Sequence, residues 1–268
     1  MELADTTFRN IADLMYQVVG LSFSDHKKAL IASRLAPRLQ RLGMPSYEAY
    51  VSLLRKQEGG EEMQHAIDLL TTNETYFFRE QKHFDLLTAE FARGPRRSAS
   101  VWSAASSYGD EAYSIAMVLA DLQHQGRIHD DWQVLGTDIS ERVLQGAKDA
   151  VYALDRIREV SPERQKRYLL KGHGDADGLV AVKEEICEHV QFGQLNLTEP
   201  IDVPGPFDVI FLRNVLIYFD QPTKQAVCNE VLQHLVPGGL FFIGTAEGRV
   251  ETNFKLKTLG PGAFRLEA

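Results

Sequence analysis

The hydrophobic pattern of the chain changes near residue 95, and this change constrains the fold more than any other feature. Before it, apolar residues recur every three or four positions, as on amphipathic helices. Beyond the Gly-Pro-Arg-Arg segment at 94–97, short apolar runs alternate with amphipathic helices, which is typical of a parallel α/β sheet. We therefore predict a helical domain over residues 1–94 and an α/β domain over residues 95–268.

The helical part contains several amphipathic segments. One apolar stripe, which Gly20 ends, is formed by Phe8, Ile11, Met15 and Val18. Gly43 closes a second helix that begins near Asp25, and Ser46 can cap a third that runs toward Gln57. These segments predict a small all-helical module.

The second predicted helix carries a basic stripe. At about 100° per residue, a narrow arc collects Lys27, Arg34, Arg38 and Arg41. In a chain of net charge −8, this stripe favours an acidic partner helix, although charged stripes are also common on solvated helix faces. Pro37 removes a backbone donor, and a kink there would break the stripe.

Charge and composition narrow the function. A net charge of −8 and a pI near 5.5 argue against a nucleic-acid-binding protein. The chain shows no export signal and no long apolar run, so we expect a cytoplasmic protein without membrane insertion. Cys187 and Cys228 lack the spacing of a zinc or redox site, so no metal is implied.

The first strand of the α/β part, 99–105, is followed by a turn with one glycine and two acids, 106–111, and then by a helix. Such a strand, turn and helix form a ligand site in doubly wound sheets. The acids would repel a pyrophosphate but suit a cationic ligand without phosphate. This turn therefore points away from a dinucleotide.

Polar residues also end later strands. Asp138 follows the strand 132–137, where a carboxylate can accept two ribose hydroxyls, or else cap the next helix. The apolar strand 207–212 ends in Arg213 and Asn214. A strand at 240–244 and a closing hairpin over 254–267 complete the order of a methyltransferase-type sheet.

The sheet pattern is interrupted at about 156–192. A glycine-rich turn at 171–178 is followed by short strands at 179–183 and near 189–192. We predict a small inserted antiparallel β-subdomain.

Residues 71–80 combine polar groups, three contiguous aromatics and an arginine between two helices. An amphipathic helix would space its apolar residues, so this segment is typical of a functional site. The alternative is a helix start capped by Thr72 or Asn73, with the aromatics in the core.

The chain resembles the chemotaxis receptor glutamate O-methyltransferases, the CheR family, along essentially its whole length. The resemblance rests on motifs in the same order: Asn73-Glu74-Thr75-Tyr76-Phe77-Phe78-Arg79-Glu80, Val101-Trp102-Ser103-Ala104-Ala105, Gly136-Thr137-Asp138-Ile139, Asn196-Leu197, and Phe211 to Phe219. It implies an α/β fold with a Rossmann-like S-adenosylmethionine-dependent methyltransferase sheet behind an amino-terminal all-helical domain. It also implies methyl transfer to glutamates on the cytoplasmic helices of chemoreceptors, with S-adenosylhomocysteine as product, and we expect a monomer.

The resemblance assigns roles position by position. The cofactor residues it implies are Asn73, Thr75, Arg79, Glu111, Asp138, Asn196, Leu197, Arg213 and Asn214. Arg79 and Tyr218 would lie nearest the transferring methyl and act in catalysis. Taken from the residues alone, Glu111 could instead complement a helix dipole, and Tyr218 could be a core tyrosine.

The resemblance also implies two receptor contacts. The first is the basic stripe. The second is the loop containing Gly172 and Gly174. In the family, such a loop accompanies the docking of a short peptide at the receptor's carboxyl terminus, which adds a strand to the edge of the subdomain. The alternative is a plain surface turn.

The sequence departs from the usual family pattern at two turns. The first turn reads Ser107-Tyr108-Gly109-Asp110-Glu111 where the family usually has Thr-Gly-Glu-Glu, so we expect the bulky Tyr108 ring at a point of close cofactor approach. Asp110 is also a methylene shorter than the usual acid. Gly244-Thr245-Ala246-Glu247 replaces the common Gly-His-Ser-Glu. Two other classes therefore stay open: a methyltransferase of a small molecule or RNA, and a binding regulator without turnover, for which Tyr108 is the hint.

Overall fold

The computed structural model of the protein describes residues 2–56, 60–93, 96–248 and 250–267, without the side chains of residues 96 and 97. Its α-helices are α1 (Asp5–Val19), α2 (Lys28–Arg41), α3 (Tyr47–Lys56), α4 (Glu61–Leu70), α5 (Gln81–Phe91), α6 (Asp110–His124), α7 (Glu141–Asp149), α8 (Pro162–Tyr168), α9 (Glu184–Cys187) and α10 (Gln221–Leu232). Its strands are β1 (Arg96–Ser103), β2 (Ile128–Asp138), β3 (Val151–Ala153), β4 (Leu169–Lys171), β5 (Leu179–Val182), β6 (Val190–Gln194), β7 (Phe207–Leu212), β8 (Leu235–Ile243), β9 (Leu256–Gly260) and β10 (Ala263–Leu266). The strands of the main sheet all follow residue 95 and are mixed with helices, as the change of pattern predicts. Residues 94 and 95 of the predicted linker lie outside the described residues.

Helices α1 to α4 form one unit around their own apolar core. The predicted stripe on α1 faces this core. Gly20 ends α1 in the left-handed conformation, at φ 70°, which confirms the predicted helix end. Ser46 accepts a hydrogen bond from the Ala49 N–H (3.2 Å) at the start of α3, as predicted, whereas the expected end near Gln57 lies outside the described residues.

Helix α2 continues through Pro37 to Arg41. Leu35 and Leu39, on either side of the proline, are buried in the core of the helical unit. This packing holds the helix across the position that lacks a backbone donor. A tighter 3₁₀ turn, Asp25–Lys27, precedes the helix.

Helix α5 packs on the sheet and does not join the helical unit. Its buried side chains, which include Phe84 and Phe91, share the core of the sheet, whereas the core of the helical unit ends at Leu70. By packing, the helical unit therefore ends near residue 71, and the predicted boundary at residue 94 is too late. Periodicity identifies α5 as a helix but does not tell which core its apolar face joins.

The main sheet has the strand order β6-β2-β1-β7-β8-β10-β9 among the described residues. The first five strands in this order, β6, β2, β1, β7 and β8, run parallel, and β10 is antiparallel to both of its neighbours. The predicted strand 207–212 and the closing hairpin are confirmed. The chain leaves β1 toward β2 and later returns to its other side at β7, so the carboxyl end of β1 is a topological switch point, where such sheets bind ligands.

Both faces of the sheet are covered. Successive side chains of β7 enter opposite cores: Val209 and Phe211 face α5 and α6, and Ile210 and Leu212 face α10. None of the helices in the described part of the chain combines the length and apolar character that a bilayer crossing requires.

A separate antiparallel sheet, in the order β3-β5-β4, follows α7. The inserted subdomain is thus confirmed, but its predicted bounds, about 156–192, are wrong at both ends. The insert already begins with β3 at Val151. The stretch predicted as its last strand, near 189–192, is β6, which pairs in parallel with β2 at the edge of the main sheet. A short apolar run does not reveal which sheet it joins.

Candidate functional site

A cavity of about 380 Å³ opens at the carboxyl ends of β1, β2 and β7. Every residue expected to hold the cofactor or to act in catalysis lines this one cavity: Asn73, Thr75, Arg79, Glu111, Asp138, Asn196, Leu197, Arg213, Asn214 and Tyr218. These residues come from separate stretches of the chain. The fold therefore brings together the polar ends of several strands and the segment between α4 and α5.

Residues 71–80 form an irregular segment that lines the cavity. The alternative in which Thr72 or Asn73 caps a helix start is wrong, because the next helix begins only at Gln81. The aromatics at 77–78 do fill the core, as that alternative held, but the residues around them face the cavity.

The backbone around Arg79 is held in an uncommon conformation. Phe78 and Glu80 have positive φ values of 58° and 60°, which non-glycine residues adopt at an energetic cost when surrounding contacts impose it. Two of these contacts are the Phe78 N–H to Ser114 Oγ (2.9 Å) and an Arg213 Nη2 that donates to the Arg79 carbonyl. These contacts hold the backbone on both sides of Arg79 and so set the direction in which its side chain leaves the chain.

A buried arginine lies in the cavity wall between two carboxylates. Arg213 Nη1 donates to Glu111 Oε2 (2.9 Å), and its Nη2 lies 3.1 Å from Glu80 Oε2. The Arg213 side chain is 1% exposed, and its Nε has no hydrogen-bond partner among the described residues. Ser103 Oγ donates to the other oxygen of Glu111 (2.7 Å). Two negative charges therefore share one positive charge.

The two carboxylates differ in their titration. Burial raises the pKa of Glu111, and the charge of Arg213 opposes this shift only in part. Burial acts on Glu80 as well, but there Arg213 and the Thr245 N–H outweigh it, and the pKa of Glu80 is lowered. Glu80 is thus the carboxylate that stays charged and forms the ion pair with Arg213. Glu111 keeps an incompletely compensated charge that suits a cationic ligand group.

Asp138 ends β2 and organises the turn after β1. Its Oδ2 accepts the Ser107 N–H (2.9 Å), and its Oδ1 accepts the Ser140 N–H (3.0 Å). Ser140 caps α7 by accepting from Val143 N–H, so the alternative of Asp138 as the helix cap is wrong. Burial raises the pKa of Asp138, and these N–H groups oppose the shift. Each oxygen retains a lone pair for a ligand hydroxyl.

Tyr108 and Asp110, the two residues of the turn after β1 that differ from the family pattern, face away from the cavity. Asp110 is fully buried and pairs with Arg156, whose Nε donates to Oδ1 (2.9 Å). The Tyr108 ring centroid lies 4.9 Å from the Arg156 guanidinium, and the ring lies over Gly146. The expectation that Tyr108 meets the cofactor is therefore wrong, and of the two acids only Glu111 lines the cavity. Adjacent helix positions point about 100° apart, which separates the two carboxylates.

Glu247 anchors the loop after β7, a role that the sequence analysis missed. Its Oε2 accepts the N–H groups of Asn214 (3.0 Å) and Gly244, and its Oε1 accepts the Ile217 N–H (3.3 Å). A Cβ on Gly244 would lie 2.5 Å from Asn214 Nδ2, so this approach requires glycine. In the segment Gly244-Thr245-Ala246-Glu247, the two residues that match the family pattern are Gly244 and Glu247, the two that hold this loop.

Tyr218 lies between the two parts of the molecule. Its ring packs against the core of the helical unit, and its carbonyl accepts the Ser22 N–H (2.9 Å). Burial raises the pKa of the hydroxyl, while hydrogen bonding by Thr72 and the charges of Arg79 and Arg34 oppose the shift. The hydroxyl is therefore protonated at neutral pH and available as a donor.

The helical unit forms one wall of the cavity, which the sequence analysis did not foresee. That wall comprises Val19, residues 21–24, Lys27 and Leu30. Asn196 Nδ2 donates to the Val18 carbonyl (2.8 Å), and a Cβ on Gly20 would lie 2.7 Å from Thr198 Cγ2. Gly20 therefore both ends α1 and permits the close approach of the two units. In the sequence, it signals only a helix end.

The basic stripe does not form one continuous surface. Lys27 lines the cavity and Arg41 is exposed, but Arg34 donates to the end of α4. Arg38 pairs with Glu62 inside the helical unit (Nε to Oε1, 3.0 Å), where their side chains are 16% and 8% exposed. The expectation of a partner-facing row is thus wrong for Arg38, because its guanidinium is already bound.

Gly172 and Gly174 lie in the loop between β4 and β5 and do not line the cavity. A Cβ on Gly172 would lie 2.0 Å from the Ala176 carbonyl oxygen, and Gly174 has a φ of 63°. The conformation of the loop itself requires both glycines.

The cavity fits S-adenosylmethionine. Glu111 can accept from its ammonium group, Arg79 and the unpartnered Arg213 Nε can bind its carboxylate, and Asp138 can accept its ribose hydroxyls. Apolar side chains, those of Ile139, Leu195 and Leu197, are available to the adenine. The described residues contain no group of three or more His, Cys, Asp or Glu side chains arranged to hold a metal ion.

With an acid at the end of β2 and an acid-lined turn after β1 in place of a phosphate loop, this sheet is that of an S-adenosylmethionine-dependent methyltransferase. The chain belongs, more narrowly, to the CheR methyltransferase family. Residues 73–261 match the family model of the CheR methyltransferase SAM-binding domain, and residues 6–71 match that of its all-alpha domain. The two matches meet where the packing also changes from one core to the other.

Relatives that match over most of their length agree with this assignment. The chain is 42% identical over 248 residues to the chemotaxis protein methyltransferase of Salmonella typhimurium, covering 92% of this chain and 85% of the relative. It is 42% identical over 260 residues to that of Escherichia coli K12, covering 96% and 90%. Chemotaxis protein methyltransferase 2 of Pseudomonas aeruginosa is 37% identical over 261 residues, covering 96% and 91%.

Proposed function

We propose that the protein transfers the methyl group of S-adenosylmethionine to glutamate side chains of chemoreceptors in the cytoplasm, forming methyl esters during chemotactic adaptation. The observation that carries the proposal is the single cavity in which Glu111 and Asp138 meet Arg79, Tyr218 and Lys27. The first group suits the cofactor, and the second suits an anionic acceptor. Relatives named chemotaxis protein methyltransferase support the same function.

The residues assigned to the cofactor hold and orient S-adenosylmethionine. When bound, S-adenosylmethionine supplies a methyl group on a positively charged sulfur. The Asp138 carboxylate would hold its ribose and the Glu111 carboxylate its ammonium group, and Arg213, which is paired with Glu80, keeps Glu111 in place. The strained segment around Arg79 and the loop anchored by Glu247 hold the reacting end. This preorganisation favours in-line attack.

The acceptor requires no general base. A glutamate with an ordinary pKa of about 4.3 is an anion at neutral pH. Its carboxylate oxygen bonds to the methyl carbon as the carbon–sulfur bond breaks, and the electron pair stays on sulfur to give S-adenosylhomocysteine. Arg79 and the protonated Tyr218 hydroxyl can bind the other acceptor oxygen. Because the step cancels opposite charges, a cavity closed by both units favours it.

The first test is transfer of labelled methyl from S-adenosylmethionine to membranes that carry chemoreceptors, followed by alkaline release of volatile methanol. We expect alkali-labile label, and much less of it with Asp138→Ala at a cofactor concentration near the wild-type Kd. Label that resists alkali would indicate another acceptor. Binding of S-adenosylhomocysteine without any transfer would favour a regulator without turnover, a class that has lost its hint because Tyr108 does not line the cavity.

We also propose that the insert tethers the enzyme to an extended peptide at the receptor's carboxyl terminus. Its outer face is apolar: Val151 and Leu170 are 48% and 55% exposed, and both pair across the strands with Ala181. Leu179 on the same sheet is 38% exposed. Short edge strands beside such a face suit the addition of a peptide strand.

The tether is tested by comparing binding to receptors with and without the carboxyl-terminal tail. We expect weaker binding to the truncated receptor, and the same weakening when Leu170→Ser is combined with the full-length receptor. Equal binding to both receptors would remove the proposal and leave the loop as a plain surface turn.

A further inference from the structure

A side-chain amide of the helical unit lies against the ends of two strands of the main sheet. Strand β2 ends at Asp138 and β6 ends at Gln194, and these two residues are paired across the strands. Gln64 of α4 donates from Nε2 to the carbonyl of Ile139, the residue after β2 (3.0 Å), and its Oε1 accepts from Gln194 Nε2 (2.8 Å). One residue of the helical unit therefore contacts both strand ends.

The contacts form a closed cluster that leaves one orientation for the Gln64 amide. Gln64 Nε2 also donates to Asp68 Oδ1 (3.1 Å), and Gln194 Nε2 donates to the same Ile139 carbonyl (3.1 Å). An ionised carboxylate and a carbonyl only accept hydrogen bonds, so the nitrogen of Gln64 must face them and its oxygen must face Gln194. The Ile139 carbonyl thus has two side-chain donors, one from the helical unit and one from the sheet.

The residues that this cluster holds line the cavity. Ile139 directly follows Asp138, and Leu195 directly follows Gln194; Asp138, Ile139 and Leu195 line the cavity, whereas Gln64 and Gln194 do not. The Leu195 N–H donates to the Asp138 carbonyl (3.0 Å), which joins the two strand ends a second time. Ile139 and Leu195 are among the apolar side chains available to the adenine, and Asp138 is the acceptor for the ribose. The Gln64 amide therefore supports the adenosine end of the cavity without lining it.

We infer that Gln64 is a positioning residue for the cofactor: it holds the ends of β2 and β6 in the arrangement that binds adenosine. The helical unit thereby contributes to cofactor affinity through a side chain that does not touch the ligand. The inference rests on the proposed function only in placing the adenosine of S-adenosylmethionine beside Asp138 and Ile139.

The test is calorimetric titration of S-adenosylhomocysteine and of 5′-methylthioadenosine, which carries the same adenosine without the amino acid. Gln64→Met keeps a side chain of similar length and removes the amide. It should raise the Kd of both ligands by the same factor, about 3- to 10-fold, as the loss of one hydrogen bond between neutral groups would. An unchanged Kd for 5′-methylthioadenosine would overturn the inference.

Two control variants separate this role from other effects of the substitution. Gln145→Met removes another amide-to-carboxylate bond between positions i and i+4 of a helix, to Asp149 Oδ1 (2.8 Å) on the exposed side of α7. Arg142→Met removes the hydrogen bond from Nη2 to the Asp68 carbonyl (2.9 Å), which joins α7 to α4. Both controls should keep the wild-type Kd within about twofold, as substitutions of exposed residues do. Equal weakening by Arg142→Met and Gln64→Met would assign the effect to docking of the helical unit and overturn the inference.

A second variant tests the cluster from the side of the sheet if urea unfolding shows that Gln64→Met does not fold. Gln194 is exposed, and Gln194→Met removes the other amide, so it should weaken both ligands as Gln64→Met does. The double variant should weaken them by more than the product of the two single factors, because only then does the Ile139 carbonyl lose both donors. An unchanged Kd in Gln194→Met, or a double variant equal to that product, would overturn the inference.

Ligand binding distinguishes failure of this inference from failure of the proposed function. If Asp138→Ala weakens both ligands and Gln64→Met weakens neither, the inference alone fails. If both variants weaken both ligands but the wild-type protein transfers no alkali-labile methyl to receptors, the proposed function alone fails and the role of Gln64 stands.

Discussion

Glu111 is expected to recognise one end of the cofactor, and Glu111→Gln isolates this contribution. Glutamine has the same shape and can still accept from Ser103 Oγ, which now lies 2.7 Å from Glu111. Arg213 keeps its second carboxylate, Glu80, at 3.1 Å. The substitution therefore removes the charge that faces the ligand without leaving a buried arginine unpaired.

The expected loss follows from one charge-assisted hydrogen bond. Such a bond contributes about 1.5–3 kcal/mol, which corresponds to about a 10- to 150-fold rise in Kd. Only ligands with an ammonium group should show it. S-adenosylhomocysteine has this group, whereas 5′-methylthioadenosine shares the adenosine and the sulfur but lacks the amino-acid part.

The assay is calorimetric titration of both ligands into the wild type, Glu111→Gln and Asp138→Ala. Glu111→Gln should weaken S-adenosylhomocysteine binding and leave 5′-methylthioadenosine unchanged, whereas Asp138→Ala should weaken both, because both carry the ribose. Urea unfolding midpoints serve as the control for folding. Equal weakening of both ligands by Glu111→Gln, or of neither, would refute the placement of the ammonium beside Glu111.

The same contact predicts a dependence on pH. Burial raises the pKa of Glu111 in the free protein, so this carboxylate takes up a proton at a higher pH than an ordinary glutamate as the pH falls. The neutral carboxyl group no longer attracts the ammonium group of the ligand. Affinity for S-adenosylhomocysteine should therefore decline with falling pH before that for 5′-methylthioadenosine, and parallel declines would contradict the assignment.

Three further substitutions have defined outcomes. Tyr218→Phe should lower single-turnover methyl transfer about tenfold or more with little change in S-adenosylhomocysteine affinity by calorimetry; a loss confined to affinity would move Tyr218 to the cofactor. Arg156→Met leaves Asp110 buried and unpaired, which should cost about 3–5 kcal/mol in urea unfolding. Since the pKa of Asp110 is already raised to about 6, protonation relieves this cost, and the loss should be larger at pH 8 than at pH 5; the reverse order would be inconsistent. Gly20→Ala meets both a positive φ of 70° and Thr198, so it should destabilise by about 1–3 kcal/mol in the same assay, with Gly43→Ala, which has open space, as the control for strain alone.

Sequence patterns predicted the parts of the site that depend on one strand and its end. The apolar run 207–212 has the bounds of β7, and a polar residue directly after such a run, as at Arg213 or Asp138, lies at the edge where parallel strands bind ligands. Parallel alignment brings these ends together without further information, which is why separated residues could be assigned to one cavity.

Contacts between distant segments were not predictable in this way. The period of an apolar pattern shows that a face is buried but not against what, so α5 was assigned to the wrong unit and β6 to the wrong sheet. Charged residues raise the same difficulty, because Arg38 on a helix looks like a surface residue until Glu62 is placed beside it. The role of Glu247 in the loop after β7 was not predictable, since two of the N–H groups that it accepts, those of Asn214 and Ile217, lie about thirty residues away in the sequence.

The shared wall of the cavity has a consequence for protein engineering and for divergence within the family. Lys27 and the residues around Gly20 belong to the helical unit, yet they enclose the space beside Asn196 and Tyr218. A chimera that exchanges residues 2–71 for those of a relative, in order to redirect the enzyme to another receptor, would also replace part of the cofactor enclosure. Recognition of the protein substrate and retention of the small molecule therefore cannot be inherited as independent modules in this architecture.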